Sequence, residues 1–442
     1  MRDLSLAVES GNFTPQITCP PRTPQLNVDL PERLQFLRSG APLVARGSDV
    51  RPPAMAVERN PCCTRPPRED WNARFRVSSR PACRHDVGPR RDAQSSARRP
   101  SFSFYEWSGD VPGPGVLLRS EPLPQDLTLE NASKSERILY SSTNGLDDKM
   151  HIAVSGALFW PKGDPPAGGW PLVAWAHGTV GAAPKCAPSF MGRSERDKKY
   201  LNSWLSAGFA VVATDYQGLG TAGGHPFLAT RPEAYGVLDS VRAVRGQPQI
   251  GDAAIVVGQS QGAGAAFATA AFQPSYAPDV KPLATVATGA PYFSKETLAA
   301  LARSGADNRD KVTPTLAYTF LLLQLAELTT PGFDPKPYLT DSGRAVYDMG
   351  SESCLGATED AIEKGQISGK VGFAKAIAPV VQSLFPLISY PTLQLRQPLF
   401  VGTREADHDV PPAMQGALVS DACAAGSPRR GAVTPDSTTA AP

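Results

Sequence analysis

Ser260 stands in a pattern that suits nucleophilic catalysis. Residues 258–262 read GQSQG, so a glycine lies two positions before and two positions after the serine. The bare pattern is weak evidence, because a chain of this length and glycine content would contain it by chance about one time in four. Its surroundings are more specific: residues 253–257 (AAIVV) predict a buried strand, and residues 263–268 (AGAAFA) predict a helix. A strand, a sharp turn and a helix present a catalytic serine above a sheet, and we predict Ser260 as the nucleophile.

The flanking glycines have a steric role in this interpretation. Small residues at Gly258 and Gly262 allow the strand and the helix to approach closely around a turn with strained backbone angles. The hydroxyl of Ser260 would then stand at the amino end of a helix, whose dipole favours negative charge. A glycine-rich turn that only packs the strand against the helix, or that binds a phosphate group, is the alternative interpretation.

A serine that attacks an ester needs two N–H donors for the oxyanion of the tetrahedral intermediate. The residue after the nucleophile supplies one donor, which makes Gln261 the candidate, and the loop after the third strand supplies the other. That loop contains Gly178 and Thr179, directly after His177. His177 could instead act as the general base, but its position at a strand end, far before Ser260 in the chain, favours a role in orienting the loop.

Asp407 is the candidate for the carboxylate that orients a catalytic histidine. Residues 401–411 read VGTREADHDVP and follow a predicted strand, so their acidic residues lie in a loop at its end. The D-x-x-V-P spacing favours Asp407, because the valine and the proline can then open the helix predicted over 412–423. Asp409 is the second choice, and an acidic loop that is only solvated is the alternative.

The segments around these residues alternate between strand-like and helix-like patterns. Residues 138–141 and 152–160 flank Asn144-Gly145, a strong hairpin signal. Short apolar runs rich in valine and alanine predict buried strands over 171–177, 210–215, 254–258, 283–288 and 398–402, and helical patterns separate them over 196–207, 231–245 and 261–272. This order predicts an α/β fold with a mostly parallel, doubly wound sheet.

Residues 294–395 interrupt the alternation. The pattern there becomes helical, with several prolines, before a strand at 399–401 resumes the sheet. We predict an inserted helical cap over 294–395, between two parts of the core at 104–293 and 396–427. The longest apolar run, 316–328, is interrupted by polar residues and is too short for a membrane span, so it predicts a buried or cap helix.

The charge balance argues against nucleic acid or an acidic membrane surface as the partner. The 442 residues include 44 basic and 42 acidic ones, for a formal net charge of +2. The seven cysteines show no C-x-x-C spacing, so no metal site is expected. No run reaches the ~18 apolar residues of a transmembrane segment, and no signal peptide is visible. We therefore expect a small-molecule substrate.

Residues 1–103 differ in composition from the rest of the chain. They are rich in proline and arginine, contain no lysine, and show no sustained strand or helix period. Such a segment cannot bury enough apolar area to offset its ordering entropy, so we predict disorder. A basic tail for nucleic acid or membrane, and an out-of-frame reading of a GC-rich coding sequence, are the alternatives.

Four motifs together resemble the secretory lipase family of α/β-hydrolases. They are WAHGT at 175–179, CAPS at 186–189, TDYQGLG at 214–220 and GQSQG at 258–262, and the resemblance covers about 104–427. It implies a helical cap between nucleophile and acid, over a cleft for acyl chains, and hydrolysis of triacylglycerols or simpler carboxylic esters. It implies no metal or organic cofactor, since acyl transfer through a serine needs none.

The resemblance also implies export, to the cell exterior or the periplasm, where cysteines oxidise. Cys186 near the oxyanion loop and Cys354 in the cap could then form a disulfide that joins core to cap. Two buried free thiols are the alternative. Apolar segments of the cap at 321–323 (LLL) and 385–388 (FPLI) suit an acyl-binding site.

The C-terminal region departs from the family pattern. The order of the triad requires a histidine on the loop after one further strand, about thirty residues past Asp407 by resemblance. No histidine follows His408, and adjacency to Asp407 in one turn gives His408 little freedom to reach Ser260. Residues 428–442 predict neither the last strand nor the last helix of the fold, and we expect a disordered tail there.

From these features we expect the chain to be a truncated or frame-shifted form of a serine carboxylic ester hydrolase, with very low activity. A serine peptidase of the same fold is the second hypothesis. It would need a clamp for a peptide terminus, and the cap is mainly aliphatic. A non-catalytic relative that binds acyl ligands is the third hypothesis, and the missing histidine supports it.

Overall fold

The sheet that carries the candidate residues has nine strands within residues 102–434, the part of the chain that the computed structural model describes. The strands are β1 (Leu117–Pro122), β2 (Ala132–Thr143), β3 (His151–Pro161), β4 (Trp170–Ala176), β5 (Ala210–Thr214), β6 (Ile250–Gln259), β7 (Ala284–Thr288), β8 (Leu399–Arg404) and β9 (Arg429–Thr434). Their order across the sheet is β1-β2-β3-β5-β4-β6-β7-β8-β9. β1 pairs antiparallel with β2, β2 with β3, and β3 with β5, and the remaining pairs are parallel.

Helices connect the parallel strands, as the alternating pattern predicts. They are α1 (Pro188–Met191), α2 (Glu195–Ser206), α3 (Thr230–Val244), α4 (Gln261–Tyr276), α5 (Lys295–Asp307), α6 (Leu316–Thr329), α7 (Asp341–Glu352), α8 (Leu355–Lys364), α9 (Gly369–Gly372), α10 (Ala378–Ser383), α11 (Phe385–Ile388) and α12 (Pro412–Ala424). The seven helices from α5 to α11 lie between β7 and β8 in the chain, in the segment that we interpret as the cap.

An apolar core joins these cap helices to the sheet. Phe320 and Leu323 of α6 are almost fully buried in the same cluster as Phe267 of α4 and Leu399 and Val401 of β8. Complete burial of a large apolar side chain contributes roughly 1.5–3 kcal/mol, so these contacts hold α6 firmly. The cap therefore packs beside the strand that leads to the acid loop.

Gly145 has a different role from the one that the hairpin signal suggests. β2 and β3 pair as predicted, but their connection spans residues 144–150, which is longer than a two-residue turn. A Cβ at Gly145 would overlap the backbone of Pro232 in α3. The glycine is therefore required by the close approach of a helix.

The expectation that the last strand is missing is wrong. Arg429–Thr434 forms β9, which pairs parallel with β8 along its whole length. An edge strand needs backbone partners on one side only, so a segment with two arginines and a glycine can form one although it does not resemble a buried strand. The disordered tail predicted for 428–442 therefore does not begin at 428. Residues 435–442, the remainder of that prediction, lie outside the described residues.

The disordered segment predicted for 1–103 also lies outside the described residues, apart from its last two. Phe102 and Ser103 belong to a short 3-10 helix, Phe102–Tyr105, so the fold begins slightly earlier than predicted. The hydroxyl of Tyr105 hydrogen-bonds to Oγ of Ser189 (3.0 Å) and ties this helix to the core. Within residues 102–434, every helix is too short or too polar to span a bilayer.

Candidate active site

Ser260 occupies a sharp turn between β6 and α4. β6 ends at Gln259 and α4 begins at Gln261, so the connection is a single residue. Its backbone angles, φ 57° and ψ −124°, lie in a region that residues with a side chain rarely adopt. Its N–H donates to the carbonyl of Thr288 at the end of β7 (2.9 Å), and its own carbonyl accepts from the N–H of Ala263 (2.8 Å). The backbone of Ser260 is therefore held in a strained turn by both neighbours.

The glycines on either side of Ser260 let this turn close. A Cβ at Gly258 would overlap the carbonyl oxygen of Gly262, and a Cβ at Gly262 would overlap the carbonyl oxygen of Ala176 at the end of β4. Any side chain at these positions would separate α4 from the sheet. The close approach that we predicted from the sequence explains both glycines.

Gly178 lies beside the serine. A Cβ at Gly178 would stand 3.7 Å from Cβ of Ser260. Gly178 and Thr179 follow β4, which is the neighbour of β6, so this loop and the serine turn emerge at the same edge of the sheet. Gln261 is the first residue of α4, where a backbone N–H has no acceptor within the helix. Gln261 therefore follows Ser260 directly, Gly178 lies beside it, and Thr179 is the next residue of the same loop. Their role as oxyanion donors stays a prediction.

His177 is buried and hydrogen-bonds within the same loop. Its Nδ1 donates to the carbonyl of Gly178 (2.7 Å), and its Nε2 lies 3.4 Å from the carbonyl oxygen of Asp215. The hydroxyl of Tyr216 donates to the carbonyl of His177 (2.9 Å), and the two rings pack with centroids 4.4 Å apart. Burial lowers the pKa of His177 to about 3, so the ring is neutral at physiological pH. These contacts fit an orienting role for His177, whose Nδ1 is bound to Gly178 and whose Nε2 faces the carbonyl oxygen of Asp215.

Three N–H donors hold the carboxylate of Asp407. Its Oδ1 accepts from the backbone N–H groups of Asp409 (3.0 Å) and Val410 (2.9 Å), and its Oδ2 accepts from Nε2 of Gln415 in α12 (2.9 Å). The D-x-x-V-P spacing therefore turns the chain so that its own backbone caps the carboxylate. These bonds fix the orientation of the Asp407 carboxylate, and Asp409 contributes its backbone N–H to that arrangement. The choice of Asp407 over Asp409 as the acid stays a prediction.

Asp407 and Ser260 approach each other across Gly289. The point where a Cβ of Gly289 would stand is 3.4 Å from Oδ2 of Asp407 and 3.9 Å from the backbone N of Ser260. The N–H of Gly289 donates to the carbonyl of Gly402 (3.0 Å) and links the ends of β7 and β8. Serine and carboxylate are therefore neighbours at the carboxyl edge of the sheet, where ligands of open α/β sheets bind.

Within the described residues no histidine connects the serine to this carboxylate. His177 and His225 are buried, and the nitrogens of both rings lie against groups other than Ser260 and Asp407. His151 begins β3 and is exposed, and His408 is exposed as well. The fold brings the candidate nucleophile, oxyanion donors and acid together and leaves the base unassigned.

Sequence reasoning missed three buried polar residues at the site. His225 and Glu233 hydrogen-bond to the side chain of Gln261, and Gln415 hydrogen-bonds to Asp407. Glu233 lies within α3, among residues that are nearly all buried, and an acid on a buried helix face is the signal that could have indicated it. His225 and Gln415 carry no comparable signal, because only the tertiary contacts give them partners.

A disulfide joins Cys186, just after the oxyanion loop, to Cys354 in the cap. The two Cα atoms lie 5.4 Å apart, and the residues are separated by 168 positions in the chain. The N–H of Leu355 donates to the carbonyl of Val180 beside this bond (2.9 Å). The pairing that the family resemblance implied is present, and it ties the cap to the segment that carries Gly178.

Replacing both cysteines by alanine is expected to lower the free energy of unfolding by about 2 to 4 kcal/mol, because the cross-link restricts a long loop in the unfolded chain. The double variant Cys186→Ala/Cys354→Ala leaves no unpaired thiol from this bond. Thermal and denaturant unfolding followed by circular dichroism measure the change. An unfolding transition identical to that of the unmodified oxidised protein would show that apolar contacts alone hold the cap.

Comparison with protein families identifies the relationship that the motifs suggested. The model of the Secretory lipase family matches residues 193–308, which include Ser260 and Gln261. The predicted resemblance to secretory lipases is confirmed. Gly178, Thr179 and Asp407 lie outside the matched segment, so their assignment depends on the geometry described above.

Two relatives are an esterase and a lipase. The chain is 27% identical over 195 residues to a probable trichothecene esterase of Stachybotrys chartarum, and 24% identical over 196 residues to lipase A of Moesziomyces aphidis. The first match covers 40% of this chain and 39% of the esterase, and the second covers 41% of each protein. The chain therefore spans about two fifths of the length of the curated relatives it matches.

Solved structures confirm the predicted fold class. Candida antarctica lipase A in its closed state aligns over 73% of this chain and 77% of its own, with a TM-score of 0.57 and 19% identity. The rice cell wall degrading esterase of Xanthomonas oryzae aligns over 74% and 92%, with a TM-score of 0.59 and 20% identity. At these identities the likeness shows the α/β-hydrolase fold alone.

Proposed function

We propose that this chain carries the catalytic core of a carboxylic ester hydrolase in which Ser260 is the nucleophile. The observation that carries the proposal is the one-residue turn at Ser260, with φ 57°, between a buried strand and the amino end of a helix. Backbone strain of this kind persists only where the surrounding structure enforces it, and it clusters at functional sites. The esterase and the lipase among the relatives support the same class of reaction.

In the proposed reaction, Oγ of Ser260 attacks the carbonyl carbon of the ester and gives its proton to a base. Backbone N–H groups of Gln261 and of the loop at Gly178 and Thr179 bind the oxyanion that forms. The bond to the alcohol then breaks, and the alcohol leaves with a proton. Water hydrolyses the acyl-enzyme by the same steps. Asp407 would orient the base and stabilise its positive charge.

The base is unassigned among the described residues, and the rate expected here is that of a serine without one. No histidine follows His408 in the sequence, and no described histidine hydrogen-bonds to Ser260. Loss of one triad member costs about 10⁴ to 10⁶ in kcat, while the oxyanion hole and substrate binding keep about 10³ over the reaction in water. We therefore expect slow, serine-dependent turnover.

The proposed substrates are esters with an apolar acyl group, triacylglycerols among them. Leu322 of α6 and Leu387 of α11 are only partly buried where they pack against the core, so their remaining surface is available to an acyl chain. Leu321, Leu323 and Ile388 are instead almost completely buried. Of the predicted segments 321–323 and 385–388, the partly buried Leu322, Phe385 and Leu387 and the exposed Pro386 therefore remain candidates for contact with an acyl chain.

Helix α6 also lies close to the acid loop. Burial raises the pKa of Tyr318 on this helix, and the nearby charges of Asp409, Glu359 and Asp407 raise it further. Tyr318 of α6 is therefore near enough to the acid loop to respond to its charges.

The family description and the disulfide support a place outside the cytosol. We propose a secreted or periplasmic protein, because Cys186 and Cys354 form a bond that the reducing cytosol would oppose. The protein would then bind its small-molecule ester substrate in the medium or at a lipid surface.

Imidazole is expected to accelerate ester hydrolysis by the full chain through Ser260. A small diffusible base can take the serine proton in place of a histidine, and a general base contributes at least about 10²-fold when it is positioned. The measurement is release of p-nitrophenol from p-nitrophenyl butyrate at increasing imidazole concentration. Ser260→Ala, assayed under the same conditions, accounts for the direct reaction of imidazole with the ester.

The same assay separates the alternatives. An equal imidazole effect in the unmodified protein and in Ser260→Ala would contradict the nucleophile assignment. Cleavage of a dipeptide p-nitroanilide in preference to the ester would favour a peptidase. Release of fatty acid from a tributyrin emulsion tests the finer assignment to acylglycerols.

A further inference from the structure

The side chain of Gln261 is anchored in a buried polar cluster. Its Nε2 donates to Oε1 of Glu233 (2.8 Å) and to Nε2 of His225 (3.0 Å). The three side chains are only 2% to 4% exposed. Oε1 of Glu233 also accepts from the N–H of Leu228 (3.0 Å), and Nδ1 of His225 donates to the carbonyl of Gln217 (3.0 Å). We call Gln261, Glu233 and His225 the amide cluster.

The hydrogen-bond pattern gives the amide of Gln261 one orientation. Because Nδ1 of His225 is the donor to a carbonyl, its Nε2 is an acceptor and requires a donor. Turning the amide over would place its oxygen against that acceptor and against Oε1 of Glu233. Both hydrogens of the amide are therefore used, and its Oε1 has no hydrogen-bond partner among the described residues.

Burial favours the neutral forms of both titratable groups of the cluster. Burial raises the pKa of Glu233 to about 8, although the bonds from Gln261 and Leu228 oppose this shift. Burial lowers the pKa of His225 to about 4. Oε1 of Glu233 can accept the amide hydrogen in either protonation state, so the anchor does not depend on the charge of the acid.

Tyr216 connects the amide cluster to the oxyanion loop. Its ring stacks on His225 with centroids 6.0 Å apart and an angle of 15° between the planes. Its hydroxyl donates to the carbonyl of His177, the residue before Gly178 (2.9 Å). One connected set of buried side chains therefore contacts both segments that would bind the oxyanion.

We propose that Glu233 and His225 are positioning residues that fix the backbone N–H of Gln261 for the oxyanion. The proposal rests on the serine-dependent ester hydrolysis proposed above. Gln261 is the first residue of α4, and helical hydrogen bonding does not fix the direction of its N–H. Holding the side-chain amide at both hydrogens fixes the residue instead. Such a donor is effective only when it is aimed before charge develops.

The test compares an oxygen ester with its thiono analogue, in which sulfur replaces the carbonyl oxygen and accepts hydrogen bonds poorly. All assays use the full chain at one fixed imidazole concentration. Glu233→Leu is expected to lower kcat for the oxygen ester by about 100-fold, because small misplacements at a reacting group have effects of this size. KM and the rate for the thiono ester should change little, so the ratio of the two rates falls.

Three further variants separate positioning from a loss of stability. Glu233→Gln keeps an oxygen that can accept from Gln261, and it should restore the rate ratio. Gln261→Met removes the anchored amide but keeps the backbone N–H, and it should lower the ratio of the two rates as Glu233→Leu does. It replaces Glu233→Leu in the test if that variant fails to fold. Asp239→Asn changes another buried acid of α3, which binds Ser142 and Tyr276, and it should alter stability without altering the ratio.

Crystal structures of the unmodified protein and of Glu233→Leu give a readout that does not need turnover. The backbone N of Gln261 is expected to move relative to Ser260 by more than about 0.5 Å, the tolerance of a working site. An unmoved N, or a rate ratio that Glu233→Leu leaves unchanged, would overturn the positioning role. Turnover that persists in Ser260→Ala would instead overturn the proposed function, and the crystal structures would then decide the positioning role alone.

Discussion

A chain in which a histidine-bearing loop replaces residues 435–442 is expected to hydrolyse p-nitrophenyl butyrate about 10⁴ to 10⁶ times faster than the unmodified chain. This is the reciprocal of the loss that removal of a triad member causes. The measurement is kcat without added imidazole. The replaced residues contain no histidine, and the change leaves every described residue in place.

The topology of the sheet is the reason to place the histidine there. β9 (Arg429–Thr434) pairs parallel with β8 (Leu399–Arg404), so both strands end at the same edge. Asp407 follows the end of β8, and a loop introduced after β9 would begin at the same edge of the sheet. A histidine in that loop can receive the serine proton on one nitrogen while the other donates to Oδ2 of Asp407.

The matched control carries the same loop with glutamine in place of the histidine. It should have the low rate of the unmodified chain, which would assign the gain to the imidazole group. A histidine loop that leaves kcat unchanged, in a protein whose circular dichroism is unaltered, would contradict the assignment of Ser260 and Asp407 to one site.

In the chain with the histidine loop, Asp407→Asn is expected to lower kcat by about 10⁴-fold, because the amide presents the wrong partner to the imidazole. In the unmodified chain the same substitution should have little effect, since no histidine within residues 102–434 hydrogen-bonds to Asp407. The difference between the two backgrounds measures the coupling between acid and base. This coupling is measured from kcat with p-nitrophenyl butyrate for four proteins, which are the two backgrounds with and without Asp407→Asn.

Asp409→Asn, made in the same two backgrounds, distinguishes the two acids of the loop. The carboxylate of Asp407 accepts from the N–H groups of Asp409 and Val410 and from Gln415, which fixes its direction. A larger background-dependent loss for Asp409→Asn than for Asp407→Asn would show that the second choice from the sequence is the acid.

The buried strands and the serine turn are the parts that the sequence predicts well. Their signals are local: Ala210–Thr214 is a continuous apolar run, and it is buried at every position. Gly258 and Gly262 are explained by overlap with backbone atoms that are close in the chain or on the adjacent strand. Where a strand or a turn depends on residues that are neighbours in sequence, the pattern of residues predicts that strand or turn.

β9 and the amide cluster could not be predicted, because both depend on parts of the chain that are distant in sequence. Arg429–Thr434 becomes a strand because β8 offers it backbone partners, which no property of its own sequence reveals. Glu233 and His225 acquire their roles only when α3 and the loop after β5 bring them to Gln261. The acid loop at Asp407 is intermediate: its spacing predicts the turn, and the fold supplies Gln415.

The central claim is that Ser260 is the nucleophile, and covalent labelling tests it most directly. The full 442-residue chain is treated with a fluorophosphonate, with and without imidazole, and the modified peptide is identified by mass spectrometry. We expect slow phosphonylation at Ser260 that imidazole accelerates and that Ser260→Ala abolishes. Labelling at another residue would contradict it, as would ordinary ester turnover by the unmodified chain that is lost on changing His177 or His408.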